Sequence, residues 1–357
     1  MNANQHSVKF GQGVIYTLAQ NGTSRSIKPA LIIQGNGTPL SNNNTVKKKA
    51  KRKLITQVMS LSLIDSSSKF GSPELKKGYW NTYHCQSKII TANGRIFTKF
   101  CKNRFCTVCN ANRKADVLNR YMPEINTWSD PYFVTLTIKS VPFYSLQLAM
   151  KSMIGEFQKI IEMQRKRSQR KKGLKIIGIR SLECNYNPET KKYNPHFHCV
   201  VASKEMADIL VHEWCKRAKP GKVNRAGQHS AKVKNTKAVL IEVVKYGSKI
   251  FTEPDIDKKS KSIKESKNNK IIYAAALNNI FHAMRALRIF ERFGFNLHST
   301  INSPKGNATV VSEYYEWQFH LPSADWLSLD TGNQLSNYIA PYSLINILEN
   351  WIDIKSE

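Results

Sequence analysis

At 357 residues the chain is long enough to bury a core and to hold two domains. Its 55 Lys and Arg stand against 25 Asp and Glu, a formal net charge of +30, which repels itself on folding and points to a polyanionic partner, nucleic acid before a membrane surface. No apolar run reaches the length of a membrane span and the N-terminus lacks the apolar core of a signal peptide, which argues against membrane and secreted classes and makes a soluble cytoplasmic protein the expectation.

Residues 1 to about 50 are rich in Asn, Gln, Ser, Thr and Gly with little apolar periodicity, and end in the basic run Lys47–Lys53. Residues 1–52 are therefore expected to be a low-complexity, disordered basic segment, and the basic run suits either a contact with DNA phosphates or a solvated charged helix end. Residues 53–125 carry Cys85, Cys101, Cys106 and Cys109, the last three spaced Cys-x4-Cys-x2-Cys. Crowded cysteines in a reducing compartment suggest metal rather than disulfides, and the Cys106/Cys109 pair has zinc-knuckle spacing. Cys101 is the third candidate ligand, and Cys85 or the adjacent His84 the fourth; buried free thiols are the competing reading.

Pro131–Ile138 alternates apolar and β-branched residues with threonine, the pattern of a strand. Leu146, Met150, Met153, Ile154, Phe157 and Ile161 recur at helical spacing and read as core packing. That helix runs out into Arg165–Lys172, six bases in eight residues, among them Arg165, Lys166 and Arg167. Leu174–Leu182 is apolar and closes on Glu183, Asn185–Lys192 reads as a hairpin loop, and Tyr193–Val201 contains His196 and His198 around Phe197. In a strand the two histidines share a face while Phe197 turns to the core, and the hairpin returns Glu183 beside them. Two imidazoles and a carboxylate can bind one divalent ion, Mn²⁺ or Mg²⁺; a polar strand face with solvated histidines is the alternative.

Residues 206–217 read as a helix with Trp214 on its apolar face, and Lys216–Lys237 as a basic loop, including Lys222 and Arg225, suited to a DNA backbone. In Val239–Lys249 a helix would pair Glu242 with Tyr246 and Lys245 with Lys249. A carboxylate one turn from a tyrosine flanked by lysines can form a nucleophile site, though a surface tyrosine fits the pattern too. Tyr273, Leu277, Ile280, Met284 and Leu287 mark a further helix, capped at Gly294, with Arg285, Arg288 and Arg292 on a polar side facing DNA. After Ser312 seven acids stand against one base, so residues 301–357 are expected to form a small separate unit or a protein-contact surface. The element order gives an α+β class: an antiparallel sheet with flanking helices over residues 126–300, preceded by the cysteine-rich segment.

Phe133–Thr137, Asn194–His198 and Glu242–Lys249 stand in the order of the three motifs of rolling-circle plasmid replication initiators, and the chain resembles that branch of the HUH endonucleases over Tyr83–Gly294. The cysteine cluster is similar to a zinc-like segment upstream of the first motif in one branch. Asn194 stands where many relatives carry another histidine. The resemblance implies that Tyr246 attacks a DNA phosphodiester, keeping the 5′-phosphate and releasing a 3′-OH primer, with His196, His198 and Glu183 as metal ligands and Glu242 activating water at termination. It implies origin DNA, single-stranded or hairpin, as substrate, with host helicase and polymerase as partners. A single-tyrosine transposase shares the active-site order, and a zinc-containing repressor would explain charge and cysteines but not the histidines. Relaxases, with three histidines and an N-terminal tyrosine, fit less well.

Overall fold

The computed structural model describes residues 7–10, 13–17, 30–34, 37–40, 43–69, 73–217, 223–244, 273–297 and 308–349. Among them the chain forms two compact units, one from Met1–Asn110 and Ile301–Ile352, the other from Ala111–Thr252 and Tyr273–Thr300.

The first unit begins with β1 (Ser7–Phe10), β2 (Gly13–Thr17), β3 (Leu31–Gln34) and β4 (Thr38–Pro39). Helices α1 (Asn43–Lys69) and α2 (Pro73–Tyr83) follow, then the hairpin β5 (Lys88–Ala92) and β6 (Arg95–Thr98). This hairpin turns on Asn93 and Gly94, both at positive φ (49° and 64°), as a two-residue turn matched to strand twist requires. The basic run Lys47–Lys53, expected in a disordered segment, lies within α1, because Val46, Ala50, Leu54, Ile55 and Met59 supply a buried stripe at helical spacing. Helix α3 (Thr107–Ile125) begins in the first unit and ends in the second.

In the second unit β7 (Tyr132–Thr137), α4 (Phe143–Gln169), β8 (Gly178–Asn187), β9 (Lys192–Val201) and α5 (Lys204–Arg217) follow the expected order. A short strand β10 (His229–Lys232), helices α6 (Thr236–Val243) and α7 (Ala274–Ala283), and β11 (Phe290–Phe293) complete it. The sheet is antiparallel throughout, in the order β10-β7-β9-β8-β11. On one face Val134, Leu136, Leu182, Phe197 and Cys199 pack with Leu146, Met150 and Phe157 of α4, Leu210 and Trp214 of α5, and Ile280 of α7. On the other, Ile179, Val200 and Phe133 pack with Tyr121 and Ile125 of α3 and with Leu240 and Val243 of α6. This is the α+β sheet with flanking helices that the sequence predicts.

One helix is shorter than its periodicity suggests. α7 ends at Ala283, Ala286 adopts a φ of 61°, and Phe290–Phe293 joins the sheet beside β8. Gly294 therefore follows a strand and caps no helix; its φ is 79°, and a Cβ there would stand 2.2 Å from the Ile176 carbonyl oxygen. Arg285, Arg288 and Arg292 consequently fall in a turn, a loop and a strand, not on one helical face.

The chain then returns to the first unit with β12 (Ala308–Val311), β13 (Tyr315–His320), β14 (Asp325–Ser328) and α8 (Tyr342–Glu349). Two sheets result, β1-β2-β3-β12 and β14-β13-β5-β6-β4. The acidic stretch expected as a separate unit is thus built into the first: β13 pairs with β5, and the indole N–H groups of Trp317 and Trp326 donate to Thr91 Oγ1 (2.9 Å) and the Gln86 carbonyl (2.8 Å). Among the described residues no helix is long and apolar enough to cross a membrane.

Candidate active site and metal centres

The β8–β9 hairpin sets Glu183 directly opposite His196, and β7 sets Thr135 opposite His198. The period-two alternation of strands then puts Glu183, His196, His198 and Thr135 on one face, while Leu182 and Phe197 fill the core on the other. Asn187 folds the hairpin turn, its side-chain oxygen accepting from the amides of Glu189 (2.9 Å) and Thr190 (3.2 Å). Glu183, His196 and His198 are 1%, 4% and 6% exposed. Glu183 Oε2 lies 3.9 Å from His196 Nε2 and 3.6 Å from His198 Nε2.

His196 Nδ1 stands 3.0 Å from the Asn194 carbonyl oxygen, which can only accept, so Nδ1 carries the hydrogen and the neutral ring presents its Nε2 lone pair to the carboxylate. Thr135 Oγ1 meets His198 Nδ1 at 3.2 Å, and the Phe133 ring stacks on His198 at 5.2 Å. A buried carboxylate is costly without a positive partner, and a cation held between Glu183 and the two Nε2 atoms would supply one. The separations exceed a direct charge-assisted hydrogen bond of about 2.7–2.9 Å. They come close to the edge of about 3.0–3.4 Å between two ligands each ~2.1 Å from one ion. The three donors could hold a metal ion, and a nitrogen–oxygen donor set fits a divalent one.

A second cluster lies in the first unit. Cys85, Cys101, Cys106 and Cys109 converge where α2 ends and α3 begins. The Sγ atoms of Cys85 and Cys101 stand 3.7 and 3.6 Å from Cys109 Sγ, and a tetrahedral zinc thiolate with Zn–S of ~2.3 Å has edges of about 3.8 Å. The amides of Cys101 and Cys109 point at Cys85 and Cys106 Sγ, both at 3.4 Å. Hydrogen bonding from Cys106 favours the Cys101 thiolate, whereas burial pushes the Cys106 thiol up. Cys85, not His84, is the fourth member of the group that could hold an ion; His84 stacks on Trp80 at 6.0 Å. Beside the cluster Lys53 is fully buried, and burial lowers its ammonium to about 8 while the thiols of Cys85, Cys106 and Cys101 oppose that shift.

The profile of the family described as Replication protein (Rep_1) matches residues 95–285, more than half of the 357-residue chain. The chain belongs to the replication protein family. The matched span holds three of the four cysteines, the Glu183–His196–His198 triad, Glu242 and Tyr246. A "Protein rep" of Staphylococcus aureus is 36% identical over 123 residues, 33% of this chain and 48% of that protein. A "Protein rep" of Streptococcus pneumoniae serotype 2, strain D39, is 31% identical over 111 residues, 29% of this chain and 33% of that protein. The chain thus spans about half the length of the first relative and a third of the second. No solved structure matches.

For this member of the replication family, α6 matters next. It lies across the face that bears the triad, its Leu240 and Val243 and the following Val244 packed with Val200 and Ile179, and Asn235 caps it by accepting from the Ala238 amide at 3.0 Å. Glu242 sits half-buried in its last turn. Lys245, Tyr246 and Lys249 lie outside the described residues, as does Lys222. Of the basic residues expected at DNA, Arg165 and Lys166 pair with Glu162 (2.7 and 3.6 Å), Arg167 with Glu213 (3.5 Å) and Arg288 with Glu291 (3.2 Å). Arg225 is exposed on a short turn, and Arg285 follows α7.

That turn is a feature the sequence reading passed over. Buried Gln228 accepts from the Thr137 amide at 2.8 Å and donates to the Asn224 carbonyl at 2.9 Å, and Thr137 Oγ1 donates to the Gly227 carbonyl at 3.0 Å. Thr137 pairs with His196 across β7 and β9, so the clasp holds Arg225 at the strand that borders the triad. His229 pairs with Thr135, the neighbour of His198, and is exposed. Only two alternating small residues, Ser230 and Ala231, separate His229 from Lys232, which gives no periodic signal to read.

Proposed function

We propose that the chain initiates rolling-circle plasmid replication by nicking one DNA strand at the origin. The observation that carries this reading is the buried triad of Glu183, His196 and His198 on one sheet face, crossed by the helix that bears Glu242, in a chain of the replication family. Tyr246 attacks the scissile phosphate: the Tyr246 O–P bond forms, the P–O3′ bond breaks, and the freed 3′ oxygen takes up a proton and becomes the primer. Lys245 and Lys249 favour the phenolate over the phenol. Glu183, His196 and His198 hold a divalent ion, Mn²⁺ or Mg²⁺, which when bound supplies positive charge to the non-bridging oxygens. At the end of the round Tyr246 is esterified, and Glu242 takes the proton of a water that attacks the regenerated origin phosphodiester, so that a P–O bond to water forms, the P–O3′ bond breaks and the freed 3′ oxygen takes up a proton.

Cys85, Cys101, Cys106 and Cys109 bind zinc structurally. Arg165, Lys166, Arg167, Lys222, Arg225, Arg285 and Arg288 contact the phosphates of origin DNA, and host helicase and polymerase act on the exposed 3′ end in the cytoplasm. The deciding experiment incubates labelled single-stranded origin DNA with the protein and Mn²⁺. A covalent adduct whose nucleotide maps to Tyr246 by mass spectrometry is expected; no adduct, or an adduct on another tyrosine such as Tyr273, overturns the assignment.

A further inference from the structure

A lysine with no exposed surface needs an anion, because a buried ammonium left alone is among the most costly groups in a protein. Lys53 is 0% exposed, and no carboxylate among the described residues pairs with it. Its Nζ donates to the Tyr83 carbonyl at 2.6 Å and to Ser87 Oγ at 3.0 Å, two groups that bracket Cys85 in the chain. The Phe319 ring, with Nζ 5.5 Å from the centroid, and the Tyr83 ring at 6.0 Å lie beside it. The ionisable groups that act on it are Cys85, Cys106 and Cys101. Lys49, one turn earlier and half-buried, is likewise favoured in its charged form by the Cys85 thiol while burial opposes it. Neighbouring bonds fix this wall of α1: Thr107 Oγ1, at the start of α3, donates to the Arg52 carbonyl at 2.9 Å and meets Thr56 Oγ1 at 2.7 Å.

Four thiolates on one divalent zinc carry two net negative charges. We propose that Lys53 is the counter-ion of this tetrathiolate centre, a positioning residue that offsets its charge and orients the Cys85 segment through Tyr83 and Ser87. The inference rests on the zinc reading above. It assigns a charged role to a helix that contributes no ligand, and it explains why a lysine, not a leucine, occupies a fully enclosed position of α1.

The test compares the full chain with its Lys53→Met and Lys53→Arg variants, under reducing conditions, by elemental analysis, zinc competition against a chelator, the absorption of the cobalt-substituted protein, and thermal melting with and without metal. Lys53→Met keeps the apolar stem and is expected to bind the same single ion with an unchanged tetrathiolate cobalt spectrum, but roughly 10–100-fold more weakly, the usual effect of removing an outer-sphere partner. Lys53→Arg is expected to stay nearer the wild type. The metal-free Lys53→Met protein should melt no lower than metal-free wild type, since it no longer buries a charge without its anion. A packing role would lower both melting temperatures equally and leave zinc affinity unmoved; that result overturns the inference and spares the zinc reading. Wild-type protein without stoichiometric zinc would overturn both. Should Lys53→Met fail to fold, Lys53→Gln, which keeps a donor for the Tyr83 carbonyl and loses the charge, gives the same comparison.

Discussion

Glu183 is the residue on which the second unit's site depends. Desolvating a carboxylate is costly, and Glu183 is buried against the Nε2 atoms of His196 and His198. Glu183→Gln keeps the shape and one oxygen donor but removes the charge, so the fold should hold while metal affinity falls. Adduct formation should drop by at least about 100-fold, the upper end of what even outer-sphere partners cost, and high Mn²⁺ should restore part of it. His196→Ala and His198→Ala should abolish nicking and leave origin binding nearly intact. Wild-type cleavage by both histidine variants would dismiss the metal assignment. Tyr246→Phe should form no adduct at any metal concentration, which separates loss of the nucleophile from loss of the ion. Glu242→Ala should still nick and form the adduct, because a positioned carboxylate contributes about 10²–10⁴-fold only where water must be activated. In cells it should accumulate multi-length single strands for want of termination. A Glu242→Ala protein as inert in the first cleavage as Tyr246→Phe would show that Glu242 serves initiation as well.

At the scale of elements, the hairpin that carries the triad is held from beneath by Phe197. This ring has 0% exposure, meets Phe157 at 5.3 Å and Trp214 at 5.8 Å, and lies under the Arg180 guanidinium at 4.8 Å. Phe197→Ala should cost about 3–5 kcal/mol of stability and blunt nicking by loosening both histidines, whereas Phe197→Leu should keep most of each; equal melting of wild type and Phe197→Ala would refute the packing account. This hairpin was legible in the sequence because a period of two, a polar turn and an apolar run all agree over Leu174–Val201. The cysteine cluster was legible from spacing alone, although the choice of Cys85 over His84 needed the end of α2. Elements that depend on distant partners were not legible. β13 pairs with β5 across more than 200 positions, and its acidic composition gives no hint of it. α7 stops at Ala283 although apolar spacing continues to Leu287, because pairing of β11 with β8 outweighs local propensity. Likewise β10 is an edge strand whose residues need no apolar alternation.

For the whole molecule, a net charge of +30 makes DNA affinity an electrostatic quantity that should fall steeply with salt, by a log–log slope of about −0.9 for each phosphate neutralised. The triad contributes little to that slope, so His196→Ala should bind origin DNA with the wild-type salt dependence. The end of α4 is different. Arg165, Lys166 and Arg167 cluster in its last turns, where cations also complement the negative end of the helix. Glu162 supplies the discriminating variant. Its exposed carboxylate pairs with both Arg165 and Lys166 and competes with any phosphate for them. Glu162→Gln removes that competitor without removing a cation. If this face meets DNA, Glu162→Gln should tighten binding at low salt and steepen the slope, while replacing Arg165 and Lys166 by alanine should flatten it by about one unit for each side chain. Fluorescence anisotropy of an origin duplex across a salt series reads both changes. Identical slopes for wild type, Glu162→Gln and the alanine pair would mean that these cations serve only the helix end, and that the DNA path runs along the Arg225 turn and β10 instead.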